Sequence, residues 1–234
     1  MENTRPQQFG QLRARIEATF ASPALLVISS AARGDGKTVT AFGLADSLAQ
    51  AQHRVLLVDT NAGAPTLARV HLPPPSNLDF AHLHHVASPV AGQLFDGVSL
   101  ADPRFEAGTS MESIKAAAAN MRLHYDFVVV DTAVLLKSEL AVLFSTVADT
   151  TLLTLRLGRR PSRTDEQLMA TLNRAAATVA GLLTVEPAMI KSFAAARQET
   201  IPTIRVPARH VTSRHTIEPK PGAYAVEKAR QSRL

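Results

Sequence analysis

With 234 residues and 46% hydrophobic content, the chain has material for one domain whose core buries roughly 70% of its unfolded surface. Zero cysteines exclude a disulfide scaffold, a thiolate metal site and a cysteine nucleophile. The net charge of +5 is localised: residues 197–234 carry eight basic and three acidic side chains, and the remainder is balanced at 17 of each.

The predicted elements alternate in type along the chain. An amphipathic stretch from Phe9 to Phe20 precedes a first strand at residues 24–30, ALLVISS. After a glycine-rich turn, Ala41, Leu44, Ala45 and Leu48 fall on one helical face. Residues 54–59, RVLLVD, form a second strand, so strand, helix and strand make a βαβ crossover. From Asn61 to Ala107 the signal weakens: Pro73, Pro74 and Pro75 break any helix, and Gln93–Leu100 gives a faint strand signal. Thr109 and Glu112 fit a capping box ahead of a helix with Ile114, Ala117, Ala118 and Met121 on one face. Residues 126–131, DFVVVD, are apolar on both faces, as a buried parallel strand requires. A helix with Leu140, Leu143, Phe144 and Val147 leads to a strand at 150–156. Ser162 and Asp165 open a helix carrying Leu168, Leu172 and Ala176, and 179–185 is the last core strand.

Five or six strands with intervening helices predict an α/β fold, a doubly wound and mostly parallel sheet. The expected domain covers residues 1–197. Residues 198–234 form a basic tail containing Pro202, Pro207, Pro219 and Pro221, with little apolar periodicity. Such a tail suits solubility, or weak contact with a membrane or nucleic acid. No apolar run approaches the ~20 residues that cross a bilayer. The N-terminus lacks an apolar signal core, so a cytoplasmic location is expected.

Chemistry concentrates in SSAARGDGKT, Ser29 to Thr38, which joins a strand to a helix start. A phosphate there needs inward amides, no Cβ in the way and the positive end of a helix dipole. Gly34 and Gly36 let the chain curl, with Asp35 between them; Lys37 supplies charge to β- and γ-phosphates. The Thr38 hydroxyl is a Mg²⁺ ligand type, and Val39 continues the first helical turn. The full P-loop pattern GxxxxGK(S/T) has glycine where this chain has Ala31. Asp59 and Asp131 end two predicted strands, where ligands of parallel sheets sit. Asp131 is the Walker B candidate, and Asp59 is a second metal-orienting or nucleophile-orienting carboxylate.

SSAARGDGKT, RVLLVDTNAGAP and YDFVVVDTAVLL resemble the three motifs of bacterial protein-tyrosine kinases of capsule and exopolysaccharide synthesis. These kinases are deviant-Walker P-loop NTPases, a group that also contains septum-positioning and plasmid-partition ATPases. The resemblance spans about Phe9 to Val185, and Ala32 stands where the partition ATPases place a signature lysine. It implies ATP and Mg²⁺ as cofactors, with Gly34, Asp35, Gly36, Lys37, Thr38 and Val39 around the nucleotide. It implies Thr38, Asp59 and Asp131 at the metal, and Lys37, Asp59 and Asp131 in catalysis by a kinase or ATPase. It also implies a membrane-embedded chain-length or export partner, a homo-oligomer and peripheral placement at the inner face of the plasma membrane.

Several positions depart from the pattern. Asn61 replaces a second aspartate, Gly63 an arginine, and Ala133 and Val134 two prolines. Val185 stands at an adenine-side asparagine, and the oligomerisation motif reduces to Gln7, Gly10 and Arg13. Of the family's C-terminal tyrosine cluster only Tyr224 is present. The alternatives are a non-catalytic nucleotide-binding regulatory subunit, or a positioning ATPase whose tail contacts DNA or lipid. Two further groups have weaker claims. Asp79, His82 and His85 share a helical face with metal-ligand spacing, and Arg156, Arg159, Arg160 and Arg163 cluster after a strand, within reach of phosphate.

Overall fold

A computed structural model describes residues 5–67, 79–106 and 109–199. The element order is α1 Arg5–Thr19, β1 Ala24–Ser29, α2 Lys37–Gln50, β2 Val55–Asp59, α3 Leu83–Val86, β3 Ser88–Pro89, β4 Asp96–Ser99 and α4 Pro103–Glu106. There follow α5 Met111–His124, β5 Phe127–Asp131, α6 Glu139–Val147, β6 Thr150–Arg156, α7 Arg163–Arg174, β7 Val179–Val185 and α8 Pro187–Glu199. One seven-stranded sheet has the order β3-β4-β2-β5-β1-β6-β7. Among the described residues only the short β3–β4 pairing is antiparallel. This is the doubly wound α/β architecture that the sequence predicts.

The strand sequences explain why both sheet faces are covered. In β1, Leu26 and Ile28 pack with Leu44 and Leu48 of α2, while Leu25 and Val27 pack with Ile114 of α5 and Phe144 of α6. Period-two alternation thus sends equally apolar side chains into two separate cores, and an uninterrupted apolar run is the only pattern that satisfies both. A third cluster beside α7 joins Leu168 and Leu172 to Leu153, Leu135 and Ala31. Ala31 therefore has a packing role for its methyl group. The left-handed glycines of the turn are Gly34 (φ 78°) and Gly36 (φ 91°), so position 31 needs no glycine.

The sequence expectations shift in detail. The faint strand signal at Gln93–Leu100 is β4, four residues long, and its partner β3 has no sequence signal of its own. α5 is capped by Ser110 rather than Thr109: the Ser110 hydroxyl accepts from Ser113 N at 3.1 Å. Thr109 instead donates to Phe105 O at 2.7 Å, closing the preceding turn. α7 stops at Arg174, and Ala176 lies beyond it with φ 53°. β7 is an edge strand with alternating exposure, not a fully buried one, and Leu182 remains 58% exposed. α8 is an addition, and it runs through Glu199, past the expected boundary at residue 197. The three consecutive prolines and the tail from residue 200 onward lie outside the described residues.

Candidate nucleotide site

β1 ends in the sheet centre, and the chain must leave it, curl and start α2 within seven residues. Gly36 sits at the N-cap of α2 in the left-handed conformation and offers no side-chain cap. By contrast α5 and α6 open on Ser110 and Ser138, each accepting from the amide three residues on. The first intrahelical bond of α2 is Thr40 N to Gly36 O at 3.0 Å. The amides of Lys37, Thr38 and Val39 therefore precede any intrahelical acceptor, at the positive end of a 14-residue helix. That is an anion-binding arrangement.

Lys37 is 6% exposed and folds back over its own turn. Its ammonium donates to Ser30 Oγ at 2.9 Å and Ala32 O at 3.4 Å. Burial pushes its pKa below the usual lysine range; Asp131 and Asp35 oppose that shift and Arg33 adds to it. An incoming polyphosphate would add to the negative charge that Asp131 and Asp35 already bring to this desolvated cation.

The turn opens onto a cavity of about 520 Å³, within the range of nucleotide-sized sites. Gly34, Gly36, Lys37, Thr38 and Val39 line one side. Asn61 to Ala64 and Thr66, following β2, line a second. Pro103, Glu106, Ala133, Val134 and Lys137 form a third, and Ile190, Phe193 and Ala194 of α8 complete it.

The two strand-end aspartates are register partners on adjacent strands. Both are fully buried, and neither is among the residues that line the cavity. Asp59 accepts from three backbone amides: Asn61 N at 3.0 Å, Thr66 N at 2.5 Å and Leu67 N at 2.9 Å. It closes the turn after β2 as a staple. Asp131 faces Lys37 electrostatically across the β1–β5 pair. Its neighbour Thr132 donates to Ile28 O at 2.8 Å, and Thr60 N donates to Asp131 O at 2.9 Å, which locks three strand ends together.

Asp35 is also buried, but its carboxylate turns outward from the turn to Arg159. Nε and Nη2 of Arg159 reach Asp35 Oδ1 and Oδ2, both at 2.9 Å. The same guanidinium donates to Asp165 at 2.8 and 2.6 Å. Asp165 in turn accepts from Ser162 N and Oγ at the start of α7, the helix that these two residues are expected to open. Arg159 is thus a structural clamp and not a phosphate contact. Its bonds hold the Asp165 carboxyl well below, and the guanidinium well above, their ordinary ranges.

The Asp79, His82 and His85 group does not form a metal centre. His82 Nδ1 lies 2.7 Å from Asp79 Oδ2, and the His82 and His85 rings stack at 5.3 Å. Among the described residues no three His, Cys, Asp or Glu side chains converge on a metal position. The donor set at the nucleotide cavity does fit Mg²⁺: a Thr38 hydroxyl on its wall and a buried Asp131 carboxylate behind it are hard oxygen ligands, with room for phosphate oxygens and water.

Sequence reasoning missed Glu106, Lys137, Ile190 and Phe193. Glu106 accepts from Ser138 Oγ at 2.7 Å and Leu140 N at 3.3 Å, so it caps α6 from the cavity wall. The α8 residues did carry a signal: Pro187, a first-turn residue type, precedes Ile190, Phe193 and Ala194 at i, i+3, i+4 spacing.

Solved structures share this fold at low identity. The chimerical protein CapA2B2 aligns with a TM-score of 0.62 and 21% identity over 77% of this chain and 84% of that one. The kinase domain of Escherichia coli tyrosine kinase ETK aligns at 0.61 and 20%, covering 87% and 80%. Cobyrinic acid a,c-diamide synthase from Mycobacterium smegmatis, solved with bound ADP and magnesium, aligns at 0.59 and 17%, covering 81% and 88%. A comparison with curated protein sequences finds no match. The model of the CobQ/CobB/MinD/ParA nucleotide binding domain matches residues 26–185, from inside β1 to the end of β7, and so takes in the glycine turn, both aspartates and every parallel strand: the chain belongs to that family.

Proposed function

We propose that the chain binds ATP with Mg²⁺ in the 520 Å³ cavity and acts in phosphoryl transfer or ATP-dependent regulation of polysaccharide export. The observation that carries this reading is the uncapped start of α2, with Lys37 and Thr38 on the cavity wall beside the left-handed Gly36. The amides and Lys37 would hold the β- and γ-phosphates, and Thr38 with Asp131 would hold the metal, whose contribution is charge neutralisation between phosphate oxygens. The export setting rests on the resemblance of the three motifs to those of the exopolysaccharide kinases; the ETK kinase domain shares the fold. No helix among the described residues is long and apolar enough to cross a membrane.

One observation favours the non-catalytic alternative. Deprotonating an acceptor hydroxyl needs a carboxylate in the cavity, yet Asp59 is committed to backbone amides and position 61 is Asn. Glu106 is the one acid on the wall among the described residues, and it caps α6. Calorimetric titration with Mg-ATP tests binding. Lys37→Ala is expected to lose at least about 100-fold in affinity with an unchanged circular dichroism spectrum, since several charge-assisted bonds converge on the phosphates. Equal affinity of variant and wild type would remove the proposal. Phosphotyrosine detection after incubation with ATP, against the same variant, separates transfer from regulation.

A further inference from the structure

The cavity mixes polar side chains (Arg33, Lys37, Thr38, Asn61, Glu106 and Lys137) with apolar ones, and its α8 wall is apolar throughout. Ile190, Phe193 and Ala194 project from one face of that helix, and Val39 lies on the first turn of α2. None of these side chains has a hydrogen-bond donor or acceptor. Phe193 sets its ring edge-on to Phe42 at 5.5 Å, and Phe42 is edge-on to Phe95 at 5.7 Å, so the ring is braced from behind. Ile190 and Phe193 nevertheless stay only partly buried. The nearby polar group is spent: Ser192 Oγ donates to Met189 O at 3.3 Å, within its own helix. The end of β7 is equally mute, because the methyl groups of Val185 fill the space beside Gly36, where an added Cβ would lie 2.7 Å from them.

A triphosphate anchored at the start of α2 leaves its nucleoside to find the remaining wall. Adenine and guanine differ in an exocyclic donor or acceptor at C6 and in the amino group at C2. Reading that difference takes a placed donor or acceptor, and such sites discriminate by about 10⁴–10⁵, whereas apolar surfaces discriminate by about 10² or less. We propose that Ile190 and Phe193 form an apolar shelf that stacks a purine without reading it, so that the site takes purine nucleoside triphosphates with little regard to the base. This deepens the nucleotide-binding reading and rests on it.

The test is calorimetric titration of the full chain with Mg-ATP, Mg-GTP and inorganic triphosphate. The proposal expects ATP and GTP affinities within tenfold of each other. Phe193→Ala should weaken both by a similar factor of about 10, the scale of one base–aromatic stack, and leave inorganic triphosphate binding unchanged. Phe193→Leu, which keeps apolar volume against Phe42, serves if the alanine variant does not fold, and should show the same common loss. A preference for ATP of 100-fold or more overturns the shelf while leaving nucleotide binding standing. So does a Phe193 variant that weakens one nucleotide alone or neither. Failure of all three probes to bind overturns the nucleotide reading, and the shelf with it.

Discussion

The turns after β1 and β2 leave adjacent regions of one sheet edge, yet they are held in opposite ways. The turn after β2 is closed from within: the Asp59 carboxylate gathers three backbone amides and both its oxygens are engaged. The turn after β1 is held from outside, by Arg159 gripping Asp35 against Asp165 of α7, and its inner side is left with unpartnered helix amides and a buried ammonium. A carboxylate that satisfies its own loop makes that loop rigid and chemically quiet. A loop braced on its outer face keeps its inner donors for a ligand.

Removing the outer brace should give the largest effect on the fold. Arg159→Ala leaves the Asp35 carboxylate, 1% exposed, without its bidentate partner. A loss of about 3 kcal/mol is expected from urea denaturation. Arg159→Lys should recover little, because a lysine cannot bridge two carboxylates with paired bonds. Full recovery by lysine would show that only charge matters.

Exchanging the roles of the two strand-end acids sharpens the contrast. Asp59→Asn puts an amide NH₂ where backbone N–H groups now donate, and should cost about 2 kcal/mol of stability while changing ATP affinity less than about threefold. Asp131→Asn should do the reverse, with a small change in stability and loss of the Mg²⁺ dependence of ATP binding. If both variants behaved alike in denaturation and in titration with and without Mg²⁺, the two turns would not be functionally distinct.

The smallest effect is one of pH, and it lies away from both turns. Burial, with His124, His85 and His82 alongside, pushes the His84 imidazole down to about 4. The unfolded chain takes up that proton near pH 6.5 and the folded one resists it, so stability is full above about 6.5 and falls as pH drops towards 4. A loss on the order of 1 kcal/mol is expected after allowance for solvent screening, a few degrees in melting temperature. His84→Phe should flatten it. The Arg159 clamp should persist through this window, because Asp165 stays ionised well below the usual carboxylate range. A pH slope that vanished in Arg159→Ala instead would place the titration at the clamp.

Much of this was legible in the sequence for local reasons. The alternation of apolar runs with 3.6-residue periodicity located β1, α2, β2, α5, β5, α6, β6 and α7. Gly34 and Gly36 announced a tight turn before a helix. Other features escaped because their signals are shared or distant. Ser110 and Thr109 are equally good caps by type, and only the path of the chain after Phe105 decided between them. The α8 stripe was overlooked because Ile190, Phe193 and Ala194 lie beyond the expected last core strand, next to the basic tail. Glu106 and Lys137 reach the cavity from separate loops that no spacing rule connects.

Residue order alone therefore determined that β1, β2 and β5 were buried on both faces, where the glycine turn lay and which edge of the sheet it faced, since periodicity and glycine placement act over a few neighbours. Tertiary structure decided what each charge does there. Asp35, Asp59 and Asp131 are one residue type at similar strand-end or turn positions, and they became respectively a clamp partner, a loop staple and a counter-charge to Lys37. The reason is that a buried carboxylate takes its role from the donors packed around it, and those donors come from Arg159, Thr66 and α2, brought together only by folding.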